Sequence, residues 1–88
     1  MFTTEEEFVL LIIKHDSKTK SEIRKLLNEI LEEETNTLNL TLEILSHRGH
    51  VVELESFPPR YEITEKGIEA LKRAANDRIK AELIGKVR

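Results

Sequence analysis

The run Tyr61-Glu62-Ile63-Thr64-Glu65-Lys66-Gly67 constrains this 88-residue chain more than any other stretch. Tyr61 and Ile63 alternate with Glu62, the two-residue period of a strand with one apolar face. Thr64 then offers a hydroxyl to the free N–H groups of a helix start, and Glu65 adds charge that favours the positive end of the dipole. Upstream, Leu45-Ser46-His47-Arg48-Gly49 reads as a helix stopped at glycine, followed by the strand Val51-Val52-Glu53-Leu54. The order is therefore helix, glycine stop, strand, turn, strand, helix.

The N-terminal half adds two helices. Glu5-Glu6-Glu7 suits a helix start that Thr3 or Thr4 caps, and Phe8 to Ile13 is apolar on every side, so this helix should be buried on most sides. His15-Asp16-Ser17 ends it. Thr19-Lys20-Ser21-Glu22 has the capping-box pattern, with Thr19 as N-cap and Glu22 reaching back. Ile23, Leu26, Leu27, Ile30 and Leu31 follow at helical spacing. Glu32-Glu33-Glu34 breaks that pattern, and Thr35 or Asn36 can cap a third helix ending near Arg48.

Between the strands, Ser56-Phe57-Pro58-Pro59 cannot continue a ladder, because proline has no N–H to donate, so a hairpin with a stiff tip is expected. From Thr64 to about Ile84 an amphipathic helix carries Ile68, Leu71, Ala75, Ile79 and Leu83 on one stripe. Its last two turns outrun what a small core needs to cover, so this stripe is expected to pair two copies of the chain. No repeat, linker or low-complexity segment interrupts residues 1–88, which reads as one domain.

Taken together, the chain resembles winged helix-turn-helix regulators of the MarR/PadR kind and is similar to small archaeal regulators with a C-terminal dimerising helix. The likeness rests on Lys20-Ser21-Glu22-Ile23, on Leu38, Leu42 and Leu45-Ser46-His47-Arg48-Gly49, on the strands, and on Tyr61 to Leu71. It covers roughly residues 5–75. The fold implied is mainly α with a small β-hairpin, α-α-α-β-β-α, with a long C-terminal helix. The function implied is that of a dimeric transcription regulator on double-stranded DNA. Helix three would lie in the major groove, the start of helix two on phosphate and the hairpin wing on the flanking backbone.

The residues of helix three sort by angle, at about 100° per residue. Leu38, Leu42 and Leu45 face the core. Thr37, Leu40, Ile44 and His47 point the other way, with Asn36, Asn39 and Glu43 beside them. Asn36 and Asn39 suit adenine edges and Thr37 a thymine methyl, although the same types also serve as capping and solvated residues. Leu40 and Ile44 suit base or phosphate poorly and a partner protein better, and Glu43 repels phosphate. The alternative is thus a winged-helix module for protein–protein contact with weak or no DNA binding.

Net charge is −3, so a basic footprint for DNA can only be local. Residues 1–44 carry ten carboxylates against five cations, and residues 45–88 carry seven against nine. Lys18, Lys20, Ser21, Arg24 and Thr35 join the expected DNA-contacting set near helices two and three. Arg60 is expected at the wing tip. The expected dimer or partner-protein interface comprises Leu40, Ile44, Leu71, Ala75, Ile79 and Leu83. No catalytic set, phosphate loop or cofactor motif stands out, so no enzyme is expected. His47 and His50 lack a third ligand, and with no cysteine no metal is expected either. No apolar run nears the roughly 20 residues of a membrane span, and a cytoplasmic location is expected.

Overall fold

A computed structural model of the chain describes the backbone of residues 2–87 and the side chains of residues 2–78. The elements are α1 (Thr4–Ile12), β1 (Lys18–Thr19), α2 (Lys20–Leu31), α3 (Leu38–His47), β2 (Val51–Leu54), β3 (Arg60–Ile63) and α4 (Glu65–Val87). The four helices and the hairpin follow the expected order. The two-residue β1 is an addition: it pairs antiparallel with β3, giving a three-stranded sheet in the order β1-β3-β2.

Capping boxes begin both N-terminal helices. Thr3 and Glu6 exchange backbone and side-chain bonds at 3.2 Å each, and Thr19 and Glu22 do so at 2.9 and 3.2 Å. Each box satisfies two helical or flanking N–H groups that would otherwise be left free. The Lys20–Leu31 helix ends at Glu32, which takes the left-handed conformation with φ 55°. At the end of α3, Gly49 (φ 81°) makes the expected left-handed stop. The His50 N–H bonds the Leu45 carbonyl (2.9 Å) and the Gly49 N–H bonds the Ser46 carbonyl (3.1 Å). This pair of bonds satisfies two terminal carbonyls at once.

The core joins Val9, Leu10 and Ile13 of the first helical segment, Ile23 and Leu27 of α2, and Leu38, Leu42 and Leu45 of α3. Val51, Tyr61 and Leu71 close it. The three leucines of α3 face inward as their spacing requires. The apolar run of α1 is less enclosed than expected, for Leu11 is 46% exposed while Val9 and Leu10 are fully buried. α2, α3 and α4 all pack on α1, and of the apolar run only Leu11 is left on the wet side. Leu71 also departs from expectation. It is 7% exposed and belongs to this chain's own core, so an outward stripe on α4 starts beyond it, at the exposed Ala75. The side chains of Ile79 and Leu83 lie outside the described residues.

The turn that opens α4 is fastened to the turn that closes α3. Thr64 caps the helix by accepting from the Gly67 N–H (3.0 Å), while its hydroxyl donates to the Gly49 carbonyl (2.6 Å). The Thr64 N–H bonds the His50 carbonyl at 3.0 Å. Gly67 is buried at this crossing, where an added Cβ would press on the His50 carbonyl oxygen and lie 2.8 Å from Ile63 Cγ1. Gly67→Ala should therefore lower stability by about 1–3 kcal/mol, the usual cost of overpacking. Alanine's better helix propensity, worth about 1 kcal/mol, opposes that loss but does not cancel it. A lower urea midpoint with an unchanged slope is the expected reading, and an unchanged or higher midpoint would reject the tight crossing.

Candidate nucleic-acid interface

The α2–α3 unit is a helix-turn-helix whose second helix is held at both ends by the start of α1. At the front of α3, the Glu5 carboxylate accepts hydroxyl bonds from Thr35 (2.7 Å), Thr37 (2.8 Å) and Thr41. Burial pushes the Glu5 carboxyl up, but the three hydroxyl donations outweigh it and leave its pKa below the ordinary 4.5. At the back, the buried Glu6 accepts from Arg48 Nη1 at 3.1 Å, Arg48 being the C-cap of α3. Asn28 of α2 holds the connecting turn, accepting from the Thr35 N–H at 2.9 Å.

These bonds change what the turn can offer. The N-cap of α3 is Thr37, in place of the expected Thr35 or Asn36, and it makes no side-chain capping bond. The reason is that the hydroxyls of Thr35 and Thr37 are drawn inward to Glu5. Neither hydroxyl is therefore free: the helical angles point Thr37 outward, and Thr35 belongs to the expected DNA-contacting set, but both donate to Glu5. Asn36 and Asn39 are exposed, as are Glu43 and His47. Leu40 is 56% exposed and Ile44 is half-buried beside it.

A groove of about 620 Å³ runs between the start of α2, the outer side of α3 and the hairpin. Lys20, Asn39, Glu43, Ser46, Glu53 and Tyr61 line it. Of the expected DNA-contacting residues, Lys20 and Asn39 are brought together here. Ser21 and Arg24 are exposed on the same N-terminal stretch of α2, and Lys18 is half-buried in β1. The Lys20 Nζ lies 6.0 Å from the centre of the Tyr61 ring, a cation–π distance. Tyr61 donates to Glu53 Oε1 at 2.9 Å across the hairpin. Burial first, then this bond and the Glu53 charge, push the phenol up to about 12, so it remains a neutral donor.

Arg60 is not at the wing tip. It opens β3 opposite Thr19 and Leu54, and its guanidinium bonds the Ser17 hydroxyl (3.0 Å) and the Ser17 carbonyl, with Glu22 Oε1 at 3.8 Å. The arginine ties β1 to the sheet and is not free to reach outward. Glu22 carries a lowered pKa, chiefly from the Thr19 backbone and hydroxyl bonds and then from Arg60 and Lys18. The helix start thus already holds one carboxylate. Away from this groove's lining, His50 packs edge-on against Phe2 with ring centres 5.2 Å apart. Burial, then the charges of Lys66 and Arg48, lower its pKa.

Sequence reading had named neither the Glu5 contacts nor the Tyr61–Glu53 and Arg60–Ser17 pairs. The second was within reach, because pairing Val51–Leu54 with Arg60–Ile63 sets Glu53 opposite Tyr61. The others depend on long-range packing that no local pattern records.

No protein-family model and no curated protein matches the sequence. Solved structures do match. H. salinarum RosR, from crystals grown with NaBr, superposes with a TM-score of 0.81 at 21% identity, over 91% of this chain and 76% of that one. A transcriptional regulator from Clostridium thermocellum gives 0.73 at 20% identity, over 92% and 89%. The fold is theirs. It is a winged helix with a long C-terminal helix.

The clamp on α3 has a measurable signature. Glu5→Gln removes the charge and one acceptor from three hydroxyls and should cost about 1–2 kcal/mol. Because the folded pKa of Glu5 is depressed, its share of stability is full above about pH 4.5 and is lost as pH falls through the folded value. Melting curves from about pH 6 to about pH 3 should show a shallower acid slope for Glu5→Gln than for the parent. Parallel curves would mean that Glu5 carries no such linkage.

Proposed function

We propose that the chain is a DNA-binding transcription regulator, one winged-helix domain per protomer, acting as a dimer in the cytoplasm. It binds and does not catalyse. α3 enters the major groove, with Asn36 and Asn39 toward base edges, and Lys20, Ser21 and Arg24 at the start of α2 meet phosphate, with Lys18 alongside. The observation that carries this reading is the exposed outer side of α3 beside Lys20, on a helix-turn-helix held rigidly at both ends. The shared fold of a C. thermocellum transcriptional regulator supports it. Thr35, Thr37 and Arg60 act from behind as positioning residues.

The test is binding to duplex DNA by fluorescence polarisation across a salt series. Affinity should fall as salt rises, and Lys20→Ala with Arg24→Ala should reduce the slope by about 2. Asn39→Ala should cost about 1–3 kcal/mol and relax sequence preference. Failure to bind any duplex at about 50 mM salt would reject the reading.

A second reading, a protein–protein module, draws on the 56% exposure of Leu40 beside Ile44, with Glu43 between them. It is favoured if Leu40→Ser with Ile44→Ser releases a protein partner and leaves DNA affinity unchanged.

Dimerisation is assigned to α4, which at 23 residues is far longer than the nine-residue α1 it packs on. Ala75 is exposed on it, and Ile79 and Leu83 continue the same helical stripe in sequence. Ile79→Glu with Leu83→Glu should yield a monomer in sedimentation equilibrium. A dimer of unchanged strength would exclude α4 as the pairing element.

A further inference from the structure

We infer that His50 is an acid-operated latch on the N-terminal segment: its neutral ring holds Phe2 against the turn between α3 and β2, and protonation turns the ring out and frees Phe2. The response belongs to the fold and holds whatever the α3 site binds.

His50 is pinned through its main chain and loose only in its ring. Its N–H bonds the Leu45 carbonyl at 2.9 Å, and its carbonyl accepts from the Thr64 N–H at 3.0 Å. The imidazole has no such anchor. Its Nδ1 is shut off from solvent and has no hydrogen-bond partner, the sole buried side-chain nitrogen or oxygen so placed among the described residues. What the ring rests on is Phe2, edge-on with ring centres 5.2 Å apart.

A neutral imidazole needs an N–H on only one nitrogen, whereas the imidazolium carries one on both. Protonation therefore makes Nδ1 a charged donor at a buried position with nothing to receive it, which is costly. The charges around the ring add to that cost. Lys66 at the start of α4, Arg48 at the end of α3 and the amino-terminal charge all disfavour the cation, and Glu6 of α1 alone favours it. Glu6 already accepts from Arg48 at 3.1 Å. His50 and Phe2 also line a cleft of about 680 Å³ that reaches α4. There Glu7 is paired with Arg78, while Arg73 and Asp77 are exposed, and neither carboxylate bonds Nδ1. Turning about its side-chain torsions takes the cation to water and leaves both backbone bonds in place. Phe2 then loses the surface it rests on, and the cleft opens on that side.

The sign of the pH dependence follows from the same surroundings. Burial first, then Lys66 and Arg48, lower the His50 pKa from the ordinary 6.5, so below that pH the unfolded chain binds more protons than the folded one. The stability this packing supplies is full above about pH 6.5 and is lost as pH falls toward the folded value.

The test is NMR of the full chain, labelled at histidine and phenylalanine, from about pH 7.5 to about pH 5. His50 should titrate below His15 and His47, which are both exposed. Cross-peaks between the Phe2 and His50 rings should disappear with that titration, while the Thr64 amide stays protected from exchange. His50→Phe cannot titrate and should keep Phe2 packed across the same range. Should that variant not fold, the parent spectra decide alone. Cross-peaks that outlast the His50 midpoint would overturn the latch, as would a midpoint at or above those of His15 and His47. So would loss of Thr64 protection in step with His50, or release of Phe2 at the parent's pH in His50→Phe.

Discussion

The position of α3 depends on two adjacent carboxylates at the start of α1. Glu5 gathers the hydroxyls of Thr35, Thr37 and Thr41 at the front of α3, and Glu6 holds the Arg48 guanidinium at its back. The leucines of α3 would let the helix slide or roll on the core, since hydrophobic burial is non-directional. Hydrogen bonds to ionised oxygens are directional and stronger than neutral ones. Together they fix both register and roll, which decides where Asn36 and Asn39 point. Glu7 extends the same series by pairing with Arg78 of α4. One acidic turn therefore locates two other helices while also favouring its own N-terminus.

A site built this way is poor in free cations. The groove beside α3 sets Lys20 against Glu43 and Glu53, and Arg60 is withdrawn into the sheet. Binding to phosphate alone would be weak, since sequence-independent affinity scales with the number of neutralised phosphates. On the DNA-binding reading, useful affinity would then come from amide contacts to base edges and from doubling the site in a dimer. A protein of this type would discriminate well for its strength, because little of its affinity is shared by every sequence.

How much of this was legible in the sequence follows from the range of each interaction. Thr19 and Glu22, Gly49, and Thr64 act within three or four residues, so their spacing announced the helix ends. Leu38, Leu42 and Leu45 announced the inner side of α3 by period. β1 is two residues long and carries no alternation, so only its pairing with Tyr61 and Arg60 reveals it. Thr37 read as outward, and Thr35 as a cap or DNA contact, because local pattern says nothing of an acceptor on another helix, and Glu5 lies some thirty residues away. Leu71 read as part of an outer stripe because period alone cannot tell which end of a long helix meets the core.

The junction between α3 and α4 gives the proposed dimer its significance. Thr64 bonds both carbonyls of the turn that ends α3, and buried Gly67 lets the two turns touch. One of these bonds runs from backbone to backbone and the other through the Thr64 hydroxyl, so the start of α4 is tied at two points to the turn that ends α3. If α4 joins two protomers, the crossing angle of the two α4 helices then sets the separation of the two α3 helices directly. On the DNA-binding reading, half-site spacing would then follow the α4 pairing geometry, because the same turn ties α4 to α3.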